Sequence, residues 1–391
     1  MKEIFLEKEN LNNNITSIID DYLENVEYQP PLEELTDYCL LILENIYEKQ
    51  FIKKNIYPEI LKQFICFNSQ DIYGVNYNFF KNIDNSPIVN ELRNIPLIEQ
   101  RSEEWFKLKE DTIGASEAAA IFGKSSFSSK NELLIRKCGY KKENNSNMMI
   151  ACMHGTKFEP VVQLLYETIN NVELFEFGSI PHPELHMVSA SPDGITPEGV
   201  MIEIKVPIKR HITGIPPIYY WIQMQQQMQV CNLDRVDFVE CKITEYLNKN
   251  DFLKDRKNNS DINDLFTEND NYKNAIIEYH NMTNDTISWL YPSKFLKIDE
   301  LSIWEKKEIS FLNKSSDRLY SRTIYWKIEL YSITPIWRDN FWWEKNKNSY
   351  IDFWNQVVLY REKGYSELIN TNVKKISKKT DNKIKCLITD D

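Results

Sequence analysis

The stretch that decides the fold reads SPDGITPEGVMIEIKVP and spans residues 191–207. It begins with a Pro-Asp-Gly turn, and residues 200–206 then alternate in character as in a β-strand, where successive side chains point to opposite faces. One face is apolar and mostly β-branched, and the other carries Glu203 and Lys205. Packing the apolar face into a core predicts that a carboxylate and an ammonium become half-buried on the other face, which is costly unless other groups compensate their charges.

Asp193 lies in the turn that leads into this strand, ten residues before Glu203. Two carboxylates and one lysine that converge at one place form a hard-oxygen site suited to Mg²⁺, and the lysine is then available to hold or activate a water molecule. A surface hairpin, in which Glu203 and Lys205 form a solvated pair, is the alternative interpretation of these residues alone.

Length and composition set the class of protein. The 391 residues allow about two or three domains, and contents of 42% hydrophobic and 13% aromatic residues are typical of a folded soluble protein. The sequence has no apolar run of about 18 residues, and its first residues lack the pattern of a signal peptide, so no membrane association is expected. The seven cysteines are scattered without a CxxC pair. This pattern predicts an intracellular, reducing compartment.

The net charge of −11 is distributed unevenly, because residues 1–95 hold sixteen acidic and eight basic residues. Overall acidity therefore does not exclude a nucleic-acid partner that is bound in a local groove. It does argue against a protein that coats nucleic acid without specificity.

The periodicity predicts an α/β fold with a mixed sheet flanked by helices. Expected elements in the centre of the chain are helices at 148–170 and 218–232 and strands at 172–180, 186–190, 200–206 and 235–244. The predicted organisation is an acidic helical N-terminal region (1–95), a core (96–247), a C-terminal extension that completes the fold (248–363) and a disordered tail (364–391). Residues 248–270 are expected to form a long loop. The aromatic residues between 326 and 354 fit core packing better than base stacking.

Three polar residues outside the hairpin have two interpretations each. Ser116 lies near the expected start of a helix in GASEAAAIFG, where it is either a plain N-cap or part of a phosphate site. Glu159 borders the apolar stripe of its helix, from which its carboxylate either reaches inward or stays exposed. Gln225 borders the buried face of a helix with five glutamines in seven residues, and amides of this kind can bridge a phosphate or a water.

Ordered motifs link these pieces. They are EEWFKLK with GASEAAAIFG, HGTKFEP, SASPDG, EIKVP and YWIQMQQQM. In this order they resemble the phage lambda exonuclease family, the YqaJ-type viral recombinases, over roughly residues 101–246. Pro192-Asp193 followed by Glu203-x-Lys205 is also the signature of the wider PD-(D/E)xK nuclease superfamily. The acidic N-terminal region resembles the extra terminal regions of relatives from large DNA viruses.

The resemblance implies a role for each matching residue. Asp193 and Glu203 would be metal ligands, and the backbone carbonyl of Ile204 would complete that site. Lys205 would position and activate the attacking water, and Glu159 would reach a second metal directly or through water. The implied fold is a PD-(D/E)xK nuclease core, and the implied cofactor is Mg²⁺, for which Mn²⁺ can substitute, with two ions bound.

The same resemblance implies a pocket for a 5′-phosphate. Ser116, Lys109 and Gln225 match residues that line this pocket in the family. Lys109 stands where the phage enzyme has arginine, so bidentate phosphate recognition is lost at this position. A further acidic position of the family is occupied by Pro183, with Glu184 adjacent, so no role is assigned there.

The function implied is a Mg²⁺-dependent 5′-to-3′ exonuclease on the ends of double-stranded DNA, used in viral recombination, repair or replication. The alternatives are a PD-(D/E)xK endonuclease or RNA-cutting relative, and an inactive module that binds DNA ends. A single-strand annealing protein and a homo-oligomer are the expected partners. The host cytoplasm or a viral replication site is the expected location.

Overall fold

The computed structural model describes residues 2–26, 32–47, 60–62, 85–96, 98, 102–140, 146–257 and 264–368. Only the backbone is described for residues 2–10, 12 and 146–149. The predicted tail, apart from residues 364–368, and the middle of the predicted loop at 248–270 lie outside the described residues.

The described part of the chain contains eleven α-helices and nine strands. The helices are α1 (Lys2–Glu24), α2 (Leu32–Ile46), α3 (Ser86–Arg93), α4 (Glu103–Asp111), α5 (Ala118–Ile121), α6 (Lys130–Lys137), α7 (Ser146–Asn170), α8 (Ile218–Cys231), α9 (Lys249–Lys254), α10 (Ile298–Lys314) and α11 (Asn340–Lys363). The strands are β1 (Ile113–Gly114), β2 (Ile180–Pro181), β3 (Val188–Ala190), β4 (Gly194–Ile195), β5 (Val200–Lys205), β6 (Arg235–Glu245), β7 (Lys273–Asn281), β8 (Thr286–Leu290) and β9 (Arg318–Trp337).

The strands form two sheets, one of three strands in the order β1-β3-β2 and one of six in the order β4-β5-β6-β9-β7-β8. In the larger sheet β5 and β6 run parallel and the other pairs are antiparallel. The parallel pair is joined by α8, which forms a β-α-β crossover. The predicted mixed α/β class is confirmed, and half of the strands of the larger sheet come from residues after 270.

Helices cover both faces of the larger sheet around β5. The apolar residues of α7 pack with Ile202 and Ile204 on one face, whereas those of α8 pack with Met201 on the other. A strand covered on both sides has no solvated face, so Glu203 is 1% exposed and not half-buried as predicted. The helix α8 itself ends where predicted, because Asn232 adopts a left-handed conformation (φ 51°) that terminates helices.

Two other predictions need correction. Residues 172–179 are not a strand: they contribute only an isolated bridge from Phe175 to Ile195, and pairing begins at Ile180. The expected loop after residue 248 instead starts with α9, whose first turn is capped by the Asn248 side chain accepting from the Asp251 N–H (3.0 Å). The aromatic residues of the C-terminal half lie mainly in the core, as predicted, with Trp326, Tyr350 and Phe353 buried.

The N-terminal helices bury the predicted apolar stripe, including Ile15, Ile19, Leu35 and Leu43. Within the described residues, no helix combines the length and apolarity that a membrane span requires.

The β4–β5 turn contacts the segment that begins α3. Gly199 in this turn has φ +89°, and a Cβ placed there would lie 2.4 Å from the Asn85 Cβ. Gly364 has the same φ, but a Cβ there would meet nothing within 4 Å. A substitution at either glycine therefore strains the backbone, but only one at Gly199 also creates a steric clash.

We expect Gly199→Ala to lower the free energy of unfolding by more than Gly364→Ala does. Both variants carry strain of about 1–3 kcal/mol, and only the first also displaces Asn85. Urea unfolding followed by circular dichroism measures the difference. Equal losses would show that the segment before α3 does not rest on the turn in solution.

Candidate active site

The β4–β5 hairpin places Asp193 beside the end of β5. Gly194 pairs with Ile202 in the antiparallel register, so one step further along the register brings Asp193 opposite Glu203. The Asp193 Oδ2 atom accepts a hydrogen bond from the Ile204 N–H (2.6 Å). The Asp193 carbonyl accepts from Gln163 of α7 (2.7 Å), which fixes the backbone as well as the side chain. The predicted role of the Ile204 carbonyl as a metal ligand stays a prediction.

Glu203 lies under α8 and is held by three donors. Its Oε1 atom accepts from Gln223 (2.7 Å) and from Lys205, and its Oε2 atom accepts from Gln227 (2.6 Å). Gln223 and Gln227 are one helical turn apart, so both amides reach the same carboxylate. A buried carboxylate is costly unless it is paired and hydrogen-bonded, and this arrangement meets both requirements.

Lys205 remains charged in these surroundings. Burial by itself would lower the pKa of Lys205, but the carboxylates of Glu203 and Asp193 outweigh this effect and raise its pKa above the usual range. Its Nζ atom also lies 5.0 Å from the centre of the Tyr220 ring. A protonated lysine donates hydrogen bonds, so here it can orient a water or a phosphate oxygen.

Glu159 of α7 extends the group of carboxylates. Burial raises the pKa of Glu159, the Lys205 charge opposes this shift, and the charges of Glu203 and Glu176 add to it. Burial and the charges of Glu203 and Glu159 likewise raise the pKa of Asp193 well above its usual range. Mutual repulsion of this kind shows that the predicted carboxylates lie near one another. Glu176, which the sequence reasoning did not select, belongs to the same electrostatic group.

The group suits a hard divalent cation by its chemistry. Asp193 and Glu159 are half-buried and Glu203 is fully buried, and these carboxylates repel one another. A cation that prefers oxygen ligands would stabilise all of them. Among the described residues, however, no three His, Cys, Asp or Glu side chains are close enough to form a ready set of ligands. Both oxygens of Glu203 accept hydrogen bonds from protein donors in this arrangement.

Gln225 is not in this group. Its amide nitrogen donates to the Trp337 carbonyl (2.9 Å), and its amide oxygen accepts from the Asp339 N–H (2.7 Å). The side chain is fully buried and joins α8 to the junction between β9 and α11. The glutamines that contact the carboxylates are Gln223 and Gln227, which lie on a different face of the helix.

Ser116 and Lys109 lie on a separate surface beside β1. Ser116 is exposed in a 3-10 turn (Ala115–Glu117) whose N-cap is Gly114, not Ser116. Lys109 is exposed at the end of α4, with its Nζ atom 4.3 Å from the centre of the Trp105 ring. The charge of Lys109 interacts with that of Glu117, which follows Ser116 in the sequence. Lys109 and Ser116, the two predicted phosphate ligands, are therefore both close to the Glu117 carboxylate.

A cluster of charges around Glu117 completes this surface. The Glu117 carboxylate accepts from the Gly114 N–H (3.0 Å) and forms ion pairs with Arg136 (2.9 Å) and Lys137 (2.7 Å). Lys137 is nearly fully buried and also donates to the Lys109 carbonyl (2.6 Å). Three cations therefore surround one carboxylate next to the exposed hydroxyl of Ser116. The sequence reasoning missed Arg136 and Lys137, because they lie in α6, outside every quoted motif.

A comparison with protein families matches the centre of the chain. Residues 104–234 are similar to the YqaJ-like viral recombinase domain, and this range includes every predicted site residue.

Similarity to other proteins extends beyond residues 104–234. The chain is 29% identical over 324 residues to "Uncharacterized protein R354" of Acanthamoeba polyphaga mimivirus, an alignment that covers 74% of this chain and 58% of that protein. An alkaline exonuclease (LHK-Exo) from Laribacter hongkongensis is 20% identical, with 70% of this chain and 100% of that chain covered at a TM-score of 0.40. A phage-related exonuclease from Haemophilus somnus is 15% identical, with 66% and 96% covered at a TM-score of 0.31. At these TM-scores, neither structure supports an argument about function.

Within residues 104–234, α8 connects the two surfaces. The Gln226 amide nitrogen donates to the carbonyls of Ile113 and Ser189 (2.8 Å each), which lie on β1 and β3. The surface around Ser116 is thus attached to the same helix that holds Glu203 through Gln223 and Gln227. A shift of α8 would displace both surfaces together.

The raised pKa of Asp193 has a consequence for stability. A carboxyl whose pKa is higher in the folded than in the unfolded chain binds protons more readily when folded. Its contribution is fully present below the unfolded pKa and is lost as the pH rises through the folded pKa. Asp255 has the opposite shift. Burial raises its pKa, but hydrogen bonds from the Glu268 N–H, Tyr246 and Lys327 outweigh this effect and lower it.

We therefore expect Asp193→Asn to stabilise the metal-free protein at neutral pH, by about 1.4 kcal/mol for each unit of pKa shift removed. The gain should shrink as the pH falls towards 4. Asp255→Asn is the matched control and should destabilise at neutral pH. Thermal unfolding in EDTA at several pH values measures both effects. An Asp193→Asn variant that is less stable than the wild type at pH 7 would contradict the assignment of repulsion at this site.

Proposed function

We propose that this chain is a divalent-metal-dependent nuclease that digests one strand of duplex DNA from its 5′ end. The observation that carries the proposal is the buried Glu203 carboxylate, which lies beside Asp193, Glu159 and a protonated Lys205 at the carboxyl end of a parallel strand pair. Ligands of α/β proteins bind at this end of such strands. The match of residues 104–234 to the YqaJ-like viral recombinase domain supports the same class of reaction.

The roles proposed for the residues follow from their surroundings. Asp193, Glu203 and Glu159 would hold the cation, which when bound supplies positive charge to the phosphodiester and its nucleophile. Lys205 would orient the attacking water and stabilise negative charge that develops on the phosphate. Gln223 and Gln227 would keep the Glu203 carboxylate in one orientation, since their amides fix both of its oxygens.

The 5′-to-3′ polarity is proposed from the second surface. Ser116 has an exposed side chain and is next in sequence to Glu117, around which Lys109, Arg136 and Lys137 gather. Such a surface suits a terminal phosphate, which carries more negative charge than an internal one. Glu117 neutralises part of this charge, so we expect a moderate preference for the phosphate. Mg²⁺ is the proposed cation. A single-strand annealing partner, a homo-oligomer and a role in viral recombination, repair or replication stay predictions.

Loss of any charged group of the site should stop cleavage. Asp193→Asn and Glu203→Gln remove anionic ligands, and Lys205→Ala removes the ammonium, so each should reduce turnover by roughly 100-fold or more. Binding of duplex DNA in Ca²⁺, which positions a water poorly for attack, should persist. Glu329→Gln removes a carboxylate elsewhere in the sheet and serves as the control.

Strand-resolved digestion of end-labelled linear duplex with Mg²⁺ measures the turnover. Wild-type turnover in either carboxylate variant would disprove the site. Cleavage of covalently closed circular DNA by the wild type would instead identify an endonuclease.

Ser116→Ala should slow digestion of 5′-phosphorylated duplex and leave digestion of 5′-hydroxyl duplex unchanged. Binding energy from the terminal phosphate places the next phosphodiester at the carboxylates, so its loss lowers the rate of the chemical step as well as affinity. Ser126→Ala, at an exposed serine nearby in the sequence, is the control. Single-turnover rates on the two substrates provide the comparison. Identical rates on both ends in wild type and variant would exclude a role in end recognition.

A further inference from the structure

The loop that follows β5 brings a second cation to the carboxylate site. Lys209, Arg210 and His211 are consecutive in this loop, which runs from the end of β5 to the start of α8. The Arg210 Nη2 atom forms an ion pair with Glu240 of β6, and its Nη1 atom donates to the His211 carbonyl at 3.5 Å. The Nε atom of Arg210 takes part in neither of these two contacts.

Glu240 is the direct neighbour of Lys205 across the parallel pair. The two residues are register partners, so their side chains lie on the same face of strands that are about 4.8 Å apart. Glu240 is 1% exposed, as is Glu203. A further buried carboxylate next to a site already rich in carboxylates adds repulsion, and the ion pair with Arg210 is what offsets it.

Tyr220 of α8 joins the two cations. The centre of its ring lies 5.0 Å from the Lys205 Nζ atom and 5.6 Å from the Arg210 Cζ atom. Both side chains are partly open to solvent, with 23% of Lys205 and 26% of Arg210 exposed. The guanidinium and the ammonium therefore border the same opening at the carboxyl end of β5.

Stability alone does not account for this ion pair. A buried pair gains little over well-packed apolar residues, because desolvation of both charges opposes their attraction. What the pair does provide is a guanidinium fixed in place by Glu240 and by the Tyr220 ring. Glu240 takes up the Nη2 atom, and the planar guanidinium matches phosphate oxygens through its other donors.

We propose that Arg210 binds a backbone phosphate of the substrate strand adjacent to the phosphodiester that is cleaved, with Glu240 and Tyr220 as its positioning residues. This inference rests on the proposed function. It assigns Arg210 to substrate binding and leaves the carboxylates and Lys205 to the chemical step.

The test compares Arg210→Gln/Glu240→Gln with the wild type. The double variant removes both charges together, so no unpaired carboxylate is left in the core. Arg235→Gln/Asp237→Asn is the matched control. Arg235 also pairs with a buried carboxylate (2.8 Å) and lies 5.6 Å from an aromatic ring, that of Trp337, but it is at the other end of β6.

Binding is measured by fluorescence anisotropy in Ca²⁺, over a range of salt concentrations, with 5′-phosphorylated duplex. We expect the Arg210 variant to bind roughly tenfold more weakly at low salt. Its slope of log Kd against log salt should fall by about 0.9, as for one lost phosphate contact. The control should keep the wild-type slope.

A second measurement identifies the phosphate. Duplexes that carry one neutral methylphosphonate at a time are bound by both proteins. One position next to the cleavage site should weaken binding to the wild type and have no effect on the Arg210 variant. A variant with the wild-type slope, in which every methylphosphonate weakens binding as in the wild type, would overturn the proposal.

These outcomes separate the inference from the proposed function. A wild-type protein that cleaves duplex ends but shows no dependence on Arg210 would overturn this inference alone. A wild-type protein that binds through Arg210 without cleaving in Mg²⁺ would overturn the nuclease assignment alone. A wild-type protein that binds no duplex would overturn both.

Discussion

The buried carboxylate of Glu203 is the constraint on which the rest of the site depends. Glu203 is buried between the sheet and α8, where an isolated negative charge would be strongly unfavourable. Lys205, Gln223 and Gln227 stabilise it together, and they do so only if β5 and α8 keep their mutual register. The polar site therefore fixes the packing of the surrounding core, since any slip of α8 along the sheet would leave a buried charge without partners.

The glutamine-rich helix extends this constraint in other directions. Gln226 holds β1 and β3, and Gln225 holds the junction between β9 and α11. These two amides are buried and directed to other elements than Gln223 and Gln227, which both bind Glu203 on β5. The several targets explain why a helix inside the core carries so many polar side chains. A long apolar residue could fill the same space, but it would leave buried backbone carbonyls or a carboxylate without donors. The carboxylate site and the Ser116 surface are in this way attached to one rigid element.

Much of this could be predicted from the sequence. The alternation in β5 and the boundaries of α8 are local signals, and the structure has both. The predicted turn at Pro192-Asp193-Gly194 is instead a bend at Asp193 that leads into β4, and the chain turns later, at residues 197–198. Two other features depend on tertiary packing and have no local signal: the full burial of Glu203, and which glutamines of α8 contact it. Selecting Gln223 and Gln227 over Gln225 requires the rotation of α8 about its axis, which tertiary packing determines. The strand predicted over residues 172–179 was wrong for a similar reason. The apolar residues of this segment pack against the core, but the segment has a neighbouring strand only at the bridge from Phe175 to Ile195.

The parallel pair β5–β6 also explains why charge gathers at one end of the sheet. Glu203 and Lys205 on β5 and Glu240 on β6 lie in its carboxyl-terminal half on the face under α8, and Arg210 joins them from the following loop. At the opposite end, Arg235 and Asp237 form a similar pair on the face under α7, where Tyr166 donates to the same carboxylate (2.9 Å). Solvent access does not separate the two pairs, because both arginines are partly exposed. What differs is the charge around them: Glu240 is the register partner of Lys205, whose charge interacts with those of Glu203 and Asp193. This concentration of charge indicates which end of the sheet is built to meet a charged ligand.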